Sequence, residues 1–218
     1  MRLSRYGGNP NIGVFARANE SLAFVACDAA PEFVRNLEEV LQVKTFMTAL
    51  SGSFVIGSLM AMNSEGAVVS FLSDPEEVAS IGKEIKVTVL DDPVNAAGNN
   101  ILVNDRGAVI NPNISRKGEK AIADALGVDV VRGTIAGCDT VGSVCCATNT
   151  GCICHADASD EDLALIRDVL KVEPMRASVN HGVRFVSAGV VANSKGALVG
   201  DETTPIEMGK IEDGLVLY

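Results

Sequence analysis

The hydrophobic positions of this chain come in pairs of short apolar runs separated by a polar turn. In the clearest copy a mostly apolar run covers 55–62, Asn63 and Gly66 supply a turn, and apolar residues resume at 67–69. Two apolar runs around an Asn/Gly turn predict a β-hairpin. The same pattern returns at 98–110, 142–154 and 187–199, and in a weaker form at 13–22.

The five copies are evenly spaced along the chain. Their first equivalent positions are Gly13, Gly57, Gly98, Gly142 and Ser187, so successive copies lie 44, 41, 44 and 45 residues apart. A period this regular, sustained through 218 residues, indicates a repeat architecture and not five unrelated hairpins.

Two further sets of equivalent positions lie in the turns. One set is Asn19, Asn63, Asn104, Thr148 and Asn193, and the other is Leu22, Gly66, Gly107, Gly151 and Gly196. Asn and Gly tolerate positive φ, which tight turns require. Turn chemistry alone is therefore a sufficient explanation for both sets.

Each hairpin is followed by a predicted helix and then by a predicted strand. Helix-start signals occur at Pro31, Asp74, Ser159 and Thr204, and a further helix is predicted near 115–126. The strands that follow the first four helices are predicted at 43–48, 85–90, 128–132 and 172–177. Pro174 makes the last of these an edge strand, because proline cannot donate to a sheet ladder.

The repeat predicts one domain of the α/β (α+β) class, built from five units of about 44 residues. The expected boundaries are 1–42, 43–84, 85–127, 128–171 and 172–218. A linear stack of such units would leave two open sheet edges, whereas a ring removes them. Residues 2–5 and 215–218 are placed to close the ring, with one segment supplying a strand to the other's unit.

Composition narrows the class of function. The formal net charge of −10 disfavours general nucleic-acid binding and favours a basic protein partner. The first residues lack the apolar stretch of a signal peptide, and no run of about 18 apolar residues could span a membrane. These features predict a cytoplasmic protein whose six cysteines are free thiols.

Four cysteines cluster in the fourth unit. If Asn149 and Thr150 form the turn, Cys145 pairs with Cys154, and Cys152 lies on the same face. Three thiols on one face are suggestive of zinc, with His155 next to them. No CxxC motif is present, however, and free cysteine also packs as a small core hydrophobe.

Motifs distributed along the whole chain resemble one known family. They are 11–16, 96–99, 104–108, 133–136, 140–143, 191–197, 201–205 and 211–213. In this order and spacing they resemble the archaeal translation initiation factor 6 family, although each motif alone is weak. The resemblance implies the pentein fold, in which five blades surround a pseudo-fivefold axis.

The resemblance also implies a function that composition does not show. Members of this family bind the large (50S) ribosomal subunit and block its association with the small (30S) subunit. The implied contact is with a ribosomal protein of the subunit-joining face, close to the sarcin–ricin loop. No catalysis and no cofactor are implied, and we expect a monomer.

The resemblance places the contact surface where loops lead into the hairpins. The family's Leu-Gly-Asn motif corresponds to Ala97-Gly98-Asn99, which makes Asn99, with Gly98, the first candidate for a ribosome contact. By pseudo-symmetry Asn11, Ser58 and Ser143 are the comparable candidates. Alternatively, Asn99 hydrogen-bonds its own backbone, and the two serines serve only turn chemistry.

A different class of function remains open at this point. The pentein fold also carries enzymes that modify guanidino groups with a cysteine nucleophile, a histidine and acids. Those enzymes place the nucleophile near the C-terminus, whereas no cysteine follows Cys154 here. Only His155 and His181 could serve as the base.

Overall fold

The structure is a computed structural model that describes residues 1–218. The strands are β1 (Arg2–Ser4), β2 (Ala16–Ala18), β3 (Leu22–Ala26), β4 (Lys44–Thr48), β5 (Met60–Met62), β6 (Ala67–Ser70), β7 (Val87–Leu90), β8 (Ile101–Val103), β9 (Ala108–Ile110), β10 (Val130–Arg132), β11 (Cys145–Ala147), β12 (Cys152–His155), β13 (Pro174–Ala177), β14 (Val190–Asn193) and β15 (Gly196–Gly200). The α-helices are α1 (Pro31–Leu41), α2 (Ile56–Leu59), α3 (Pro75–Ile81), α4 (Ala97–Asn100), α5 (Arg116–Leu126), α6 (Val141–Val144), α7 (Asp160–Leu170) and α8 (Pro205–Leu215). Two 3-10 turns cover Ile12–Val14 and Val186–Gly189.

The strands form five three-stranded sheets of one design. Their orders are β2-β3-β4, β5-β6-β7, β8-β9-β10, β11-β12-β13 and β14-β15-β1. In every sheet the first two strands form an antiparallel hairpin, and the third strand joins parallel to the second. The fold is therefore a mixed α/β arrangement of five similar units, as the repeat predicted.

Most local predictions are confirmed. The pairing of Cys145 with Cys154 is as predicted, and β13 is an edge strand. Asp74, Ser159 and Thr204 cap their helices, each within a capping box. Helix α1 buries Phe33, Leu37 and Leu41, because its apolar residues recur at helical spacing.

The start of each predicted hairpin is different in the structure. The first residues of the apolar runs form a single helical turn and not a strand, as in α2, α4 and α6. Short apolar runs do not distinguish a strand from one helical turn by periodicity. The helical turn carries the glycine of the first equivalent set into close contact with the preceding unit, as described below.

Of the two terminal segments that could have closed the predicted ring, only the N-terminal one supplies a strand. Strand β1 pairs with β15, with Arg2 opposite Leu198, so the N-terminal segment completes the sheet of the last unit. The C-terminal segment adds no strand, because α8 continues to Leu215. Leu215 is fully buried with Ile211 one helical turn before it, and this apolar stripe extends the helix.

The inner strands of neighbouring units contact one another in a cyclic order. Strand β2 contacts β5, β5 contacts β8, β8 contacts β11, β11 contacts β14, and β14 contacts β2. The hydrophobic clusters lie between the sheets and the helices of the five units. None of the helices has the length and apolar character needed to cross a membrane.

The asparagines of the turns do more than form turns. The Asn63 side-chain oxygen accepts hydrogen bonds from the amides of Glu65 and Gly66, as turn chemistry predicts. Its side-chain nitrogen, however, donates to the carbonyl oxygens of Asn104 at 3.3 Å and Leu126 at 2.8 Å. Turn chemistry alone is therefore an incomplete explanation, because the same side chain links two units.

Candidate functional site

Five short helical turns lie side by side where the chain leads into the hairpins. Each turn contacts the next, and the last turn (Val186–Gly189) contacts the first (Ile12–Val14). A Cβ added to Gly57 would lie 1.8 Å from the carbonyl oxygen of Gly13. A Cβ added to Gly98 would lie 2.0 Å from the carbonyl oxygen of Gly57, and one added to Gly13 would lie 2.0 Å from the carbonyl oxygen of Ser187. Glycine is therefore required at these positions, because the backbones approach too closely for any side chain.

The turns surround a shallow depression of about 200 Å³. It is lined by Gly13, Val14, Gly57, Ser58, Asn99, Ser143, Phe185, Ser187 and Ala188. Residues 14, 58, 99, 143 and 188 hold equivalent positions, because the amide of each donates to the carbonyl three residues before it. One repeated backbone hydrogen bond thus presents five side chains at one end of the molecule.

The structure brings together three of the five residues proposed from the sequence. Ser58, Asn99 and Ser143 all line the depression and are partly exposed. Gly98 is buried beneath them, so it shapes the surface without presenting a side chain. Asn11 lies outside the depression, where its side-chain oxygen accepts a hydrogen bond from the side-chain nitrogen of Asn180 at 3.3 Å. The residue equivalent to Ser58 in the first unit is Val14.

The side chain of Asn99 is free to bind a partner. The alternative considered above, a hydrogen bond to its own backbone, is made by its neighbour: Asn100 donates to the Ala96 carbonyl at 2.9 Å. No protein atom forms a hydrogen bond with the side chains of Asn99, Ser58 or Ser143. Their polar groups can therefore pair with an external surface at no cost in internal hydrogen bonds.

Two exposed aromatic residues near this end were not singled out by the sequence pattern. Phe185 lines the depression and is 48% exposed, and Phe54, just before α2, is 46% exposed. Apolar residues next to an apolar run are indistinguishable from core residues in the sequence. Exposed aromatic side chains of this kind are typical anchors of protein interfaces.

Acidic residues at helix starts hold the loops that precede the turns. Glu207 accepts hydrogen bonds from the Ser178 hydroxyl and from the amides of His181 and Gly182. Burial alone would raise the pKa of Glu207, yet hydrogen bonds from Thr204, Ser178 and Gly182 lower it to about 2. The loop that leads to Phe185 is thus fixed by a stable carboxylate.

The same arrangement occurs in two other units. Glu77 accepts from the amides of Ser51 and Gly52, at 2.7 and 3.0 Å, and Asp162 accepts from the amide of Ala136 at 2.9 Å. Both acids also occupy the capping box of their own helix. The capping signal was recognised in the sequence, whereas this second role depends on tertiary structure.

The four clustered cysteines of the fourth unit lie in the core. All six are free thiols, and Cys145, Cys152 and Cys154 belong to one hydrophobic cluster. Burial raises the pKa of Cys154 to about 12, so its thiol stays protonated at neutral pH. The structure contains no group of three or more His, Cys, Asp or Glu residues arranged to hold a metal ion.

Comparison with known proteins identifies one family, both by its profile and by individual relatives. The profile of the eIF-6 family matches residues 1–214. The chain is 40% identical over 204 residues to Translation initiation factor 6 of Thermoplasma acidophilum, with 94% of each chain covered. It is 41% identical over 206 residues to the protein of that name from Methanoculleus marisnigri, again with 94% of each chain covered. The counterpart from Methanocaldococcus jannaschii is 37% identical over 220 residues, covering 97% of this chain and 96% of the relative. This chain therefore belongs to the eIF-6 family.

Proposed function

We propose that this protein binds the large ribosomal subunit and prevents its association with the small subunit, as a translation initiation factor. The observation that carries the proposal is the match to the eIF-6 family along residues 1–214, with relatives named Translation initiation factor 6 that align over nearly their whole length. A factor of this kind acts by occupying a surface, so it needs a firm body with a broad face and no reactive pocket.

We further infer that the chain forms one closed pentein domain with five blades around a pseudo-fivefold axis. The five sequence repeats cover residues 1–42, 43–84, 85–127, 128–171 and 172–218, and each blade takes its third strand from the start of the next repeat, with β1 serving the last blade. The cyclic contacts of the inner strands and the pairing of β1 with β15 support this inference. A closed body of this kind presents a docking face whose shape does not depend on the partner.

The docking face in this proposal is the end that carries the depression. Asn99, Ser58 and Ser143 offer unpaired polar groups there, and Phe185 offers an aromatic anchor. Gly98 sets the close backbone contact beneath this face, and Asn11 steadies its border through Asn180. An interface of standard size buries about 800 Å² on each partner, which is less than a tenth of this chain's 8814 Å².

The charge of the chain favours a protein partner over exposed RNA. The formal net charge is −10, so phosphate backbones repel the molecule, whereas a basic ribosomal protein attracts it. We propose that the partner is a ribosomal protein of the subunit-joining face, near the sarcin–ricin loop. The factor binds there as a monomer in the cytoplasm.

Because the chain belongs to the eIF-6 family, its function is not that of a guanidino-modifying enzyme. The geometry of the candidate catalytic groups is also unsuited to that chemistry. His155 is buried, and its Nδ1 accepts a hydrogen bond from the Asp157 amide at 3.1 Å, so this nitrogen is occupied. Cys145, Cys152 and Cys154 are buried with raised pKa values, which is the opposite of an activated nucleophile.

Co-sedimentation with purified large subunits tests the proposed face. We expect Asn99→Arg to weaken binding at least about 10-fold, because a long charged side chain would hold the two surfaces apart. Ser80→Arg is the matched control, since Ser80 is exposed on α3 and does not line the depression. Equal binding by both variants and the unaltered protein would refute this face, and failure of the unaltered protein to co-sediment would refute the function.

A further inference from the structure

A single arginine lies among apolar side chains at the centre of the five units. Arg17 occupies the position equivalent to Ala61, Leu102, Cys146 and Val191, four residues after the first equivalent position of each unit. These residues line one cavity to which every unit contributes. Arg17 is the one charged residue in its lining. Four units thus place neutral side chains where the first unit places a cation.

The guanidinium group has neutral hydrogen-bond partners only. Its Nε donates to the Met60 carbonyl at 3.0 Å, and Nη2 donates to the carbonyls of Gly57 and Gly98 at 2.6 and 3.1 Å. Its Nη1 makes no hydrogen bond to the protein, and no carboxylate pairs with the group. An interior charge without a counter-ion is energetically expensive.

Arg17 keeps its positive charge in this position. Burial lowers its pKa, but a guanidinium starts from so high a value that it remains protonated in proteins. Most other interior groups would lose their charge when buried without a partner, and an arginine does not have that option. Arg17 is partly exposed and three carbonyl oxygens solvate its charge in part, so an ion of opposite sign in the adjoining cavity would be favoured.

The cavity beside Arg17 has room for a small ion. Its volume is about 40 Å³, whereas one water needs about 10–15 Å³ measured in this way. We propose that this cavity binds one small monovalent anion of the halide class, held by the guanidinium of Arg17 through Nη1.

The lining favours a halide over larger oxyanions. Phosphate and sulfate carry more charge than one guanidinium balances and need several hydrogen-bond donors, which the apolar lining lacks. A halide needs one donor and tolerates apolar neighbours. Because the anion would touch residues of several units, it would link those units together as well as neutralise Arg17.

Thermal unfolding in bromide tests this site without reference to the ribosome. Protein in sodium gluconate, whose anion is too large for the cavity, is compared with protein in sodium bromide at equal ionic strength. We expect a saturable rise in Tm of about 3–10 °C with bromide. Crystals soaked in bromide should give an anomalous peak within hydrogen-bond distance of Arg17 Nη1.

Two variants make the test specific. Arg17→Met should abolish the bromide response, whereas Arg184→Met, which removes an exposed arginine paired with Asp157, should keep it. If Arg17→Met fails to fold, Cys146→Leu replaces it in the test. This variant keeps Arg17 but fills the cavity with the side chain that the third unit carries at the equivalent Leu102, so it too should abolish the bromide response. Identical Tm values in gluconate and bromide, or a density at Nη1 explained by water alone, would overturn the proposal.

Discussion

The side chain of Asn193 donates a hydrogen bond to the backbone carbonyl of Asn19 at 3.1 Å, which joins the last unit to the first. The same bond runs from Asn19 to Asn63 at 2.8 Å, and from Asn104 to Thr148 at 3.0 Å. The bond from Asn63 to Asn104, at 3.3 Å, completes the series except at one junction. Thr148 has no side-chain amide, so the bond to the Asn193 carbonyl is missing, and the fourth unit is joined to the fifth instead by the Thr150 hydroxyl, which donates to the Leu215 carbonyl at 3.0 Å.

Replacing Thr148 with asparagine should supply the missing bond. The new amide can reach the Asn193 carbonyl, and its oxygen can accept from the amides of Thr150 and Gly151, as Asn63 does from Glu65 and Gly66. We expect Thr148→Asn to raise the free energy of unfolding by about 1 kcal/mol, measured by urea denaturation. Asn104→Thr should lower it by about 1–3 kcal/mol, because the Leu170 carbonyl loses its partner. A loss of stability in Thr148→Asn would contradict the equivalence of the five turns.

The close backbone contacts between the turns predict a severe effect of a single methyl group. Gly57→Ala would place a Cβ 1.8 Å from the Gly13 carbonyl oxygen, and we expect a loss of about 3 kcal/mol or more in unfolding free energy. Gly209→Ala is the control, because nothing lies within 4 Å of a Cβ at this position of α8. That change should stabilise by about 0.5–1 kcal/mol, as alanine favours a helix. Similar losses in the two variants would show that the turns can move apart.

The pKa of Glu207 predicts a specific dependence of stability on pH. Its pKa is about 2 in the folded protein and near the ordinary glutamate value of about 4.3 when unfolded. The unfolded state therefore binds the proton first as the pH falls, so the contribution of Glu207 is fully present above about pH 5 and is lost down to about pH 2. That contribution is about 3 kcal/mol at neutral pH.

The Glu207→Gln variant isolates this contribution. It should be less stable at pH 7 and should lose less stability than the unaltered protein between about pH 5 and pH 2, as measured by urea denaturation at a series of pH values. Parallel pH profiles for the two proteins would mean that the hydrogen bonds to the loop at 178–182 do not favour the charged form.

The exposed ring of Phe185 should contribute to ribosome binding. We expect Phe185→Ala to weaken affinity for the large subunit by about 10-fold or more, because a central aromatic anchor accounts for much of an interface's energy. Ile206→Ala is the control, since Ile206 is 77% exposed but does not line the depression. Titration of labelled protein with large subunits measures both affinities. Equal losses in the two variants would argue for general surface hydrophobicity in place of a defined face.

The sequence predicted the features that recur within a unit. The period, the hairpins, the helix caps at Ser159 and Thr204 and the pairing of Cys145 with Cys154 all follow from local rules of turns, caps and alternation. The residues around Gly57 were expected to be strand and are helical, because one turn of helix leaves too few apolar positions to reveal its period.

The features that depend on tertiary structure could not be predicted in this way. The hydrogen bond from the Asn63 side chain to the Leu126 carbonyl joins positions 63 residues apart, and no local sequence pattern predicts it. The exposure of Phe185 depends on the loop that Glu207 holds. Ser58, Asn99 and Ser143 could be grouped in advance because the repeat places them at equivalent positions. Asn11 was predicted by the same pseudo-symmetry, but it lies three residues before Val14, which holds the position equivalent to Ser58.

The most direct test of the central claim is a subunit-joining assay. Purified large and small subunits are mixed with and without the protein and separated on a sucrose gradient. We predict that the protein co-migrates with the large subunit and that the peak of joined ribosomes falls, whereas Asn99→Arg at the same concentration leaves that peak high. An undiminished peak of joined ribosomes in the presence of saturating unaltered protein would contradict the account.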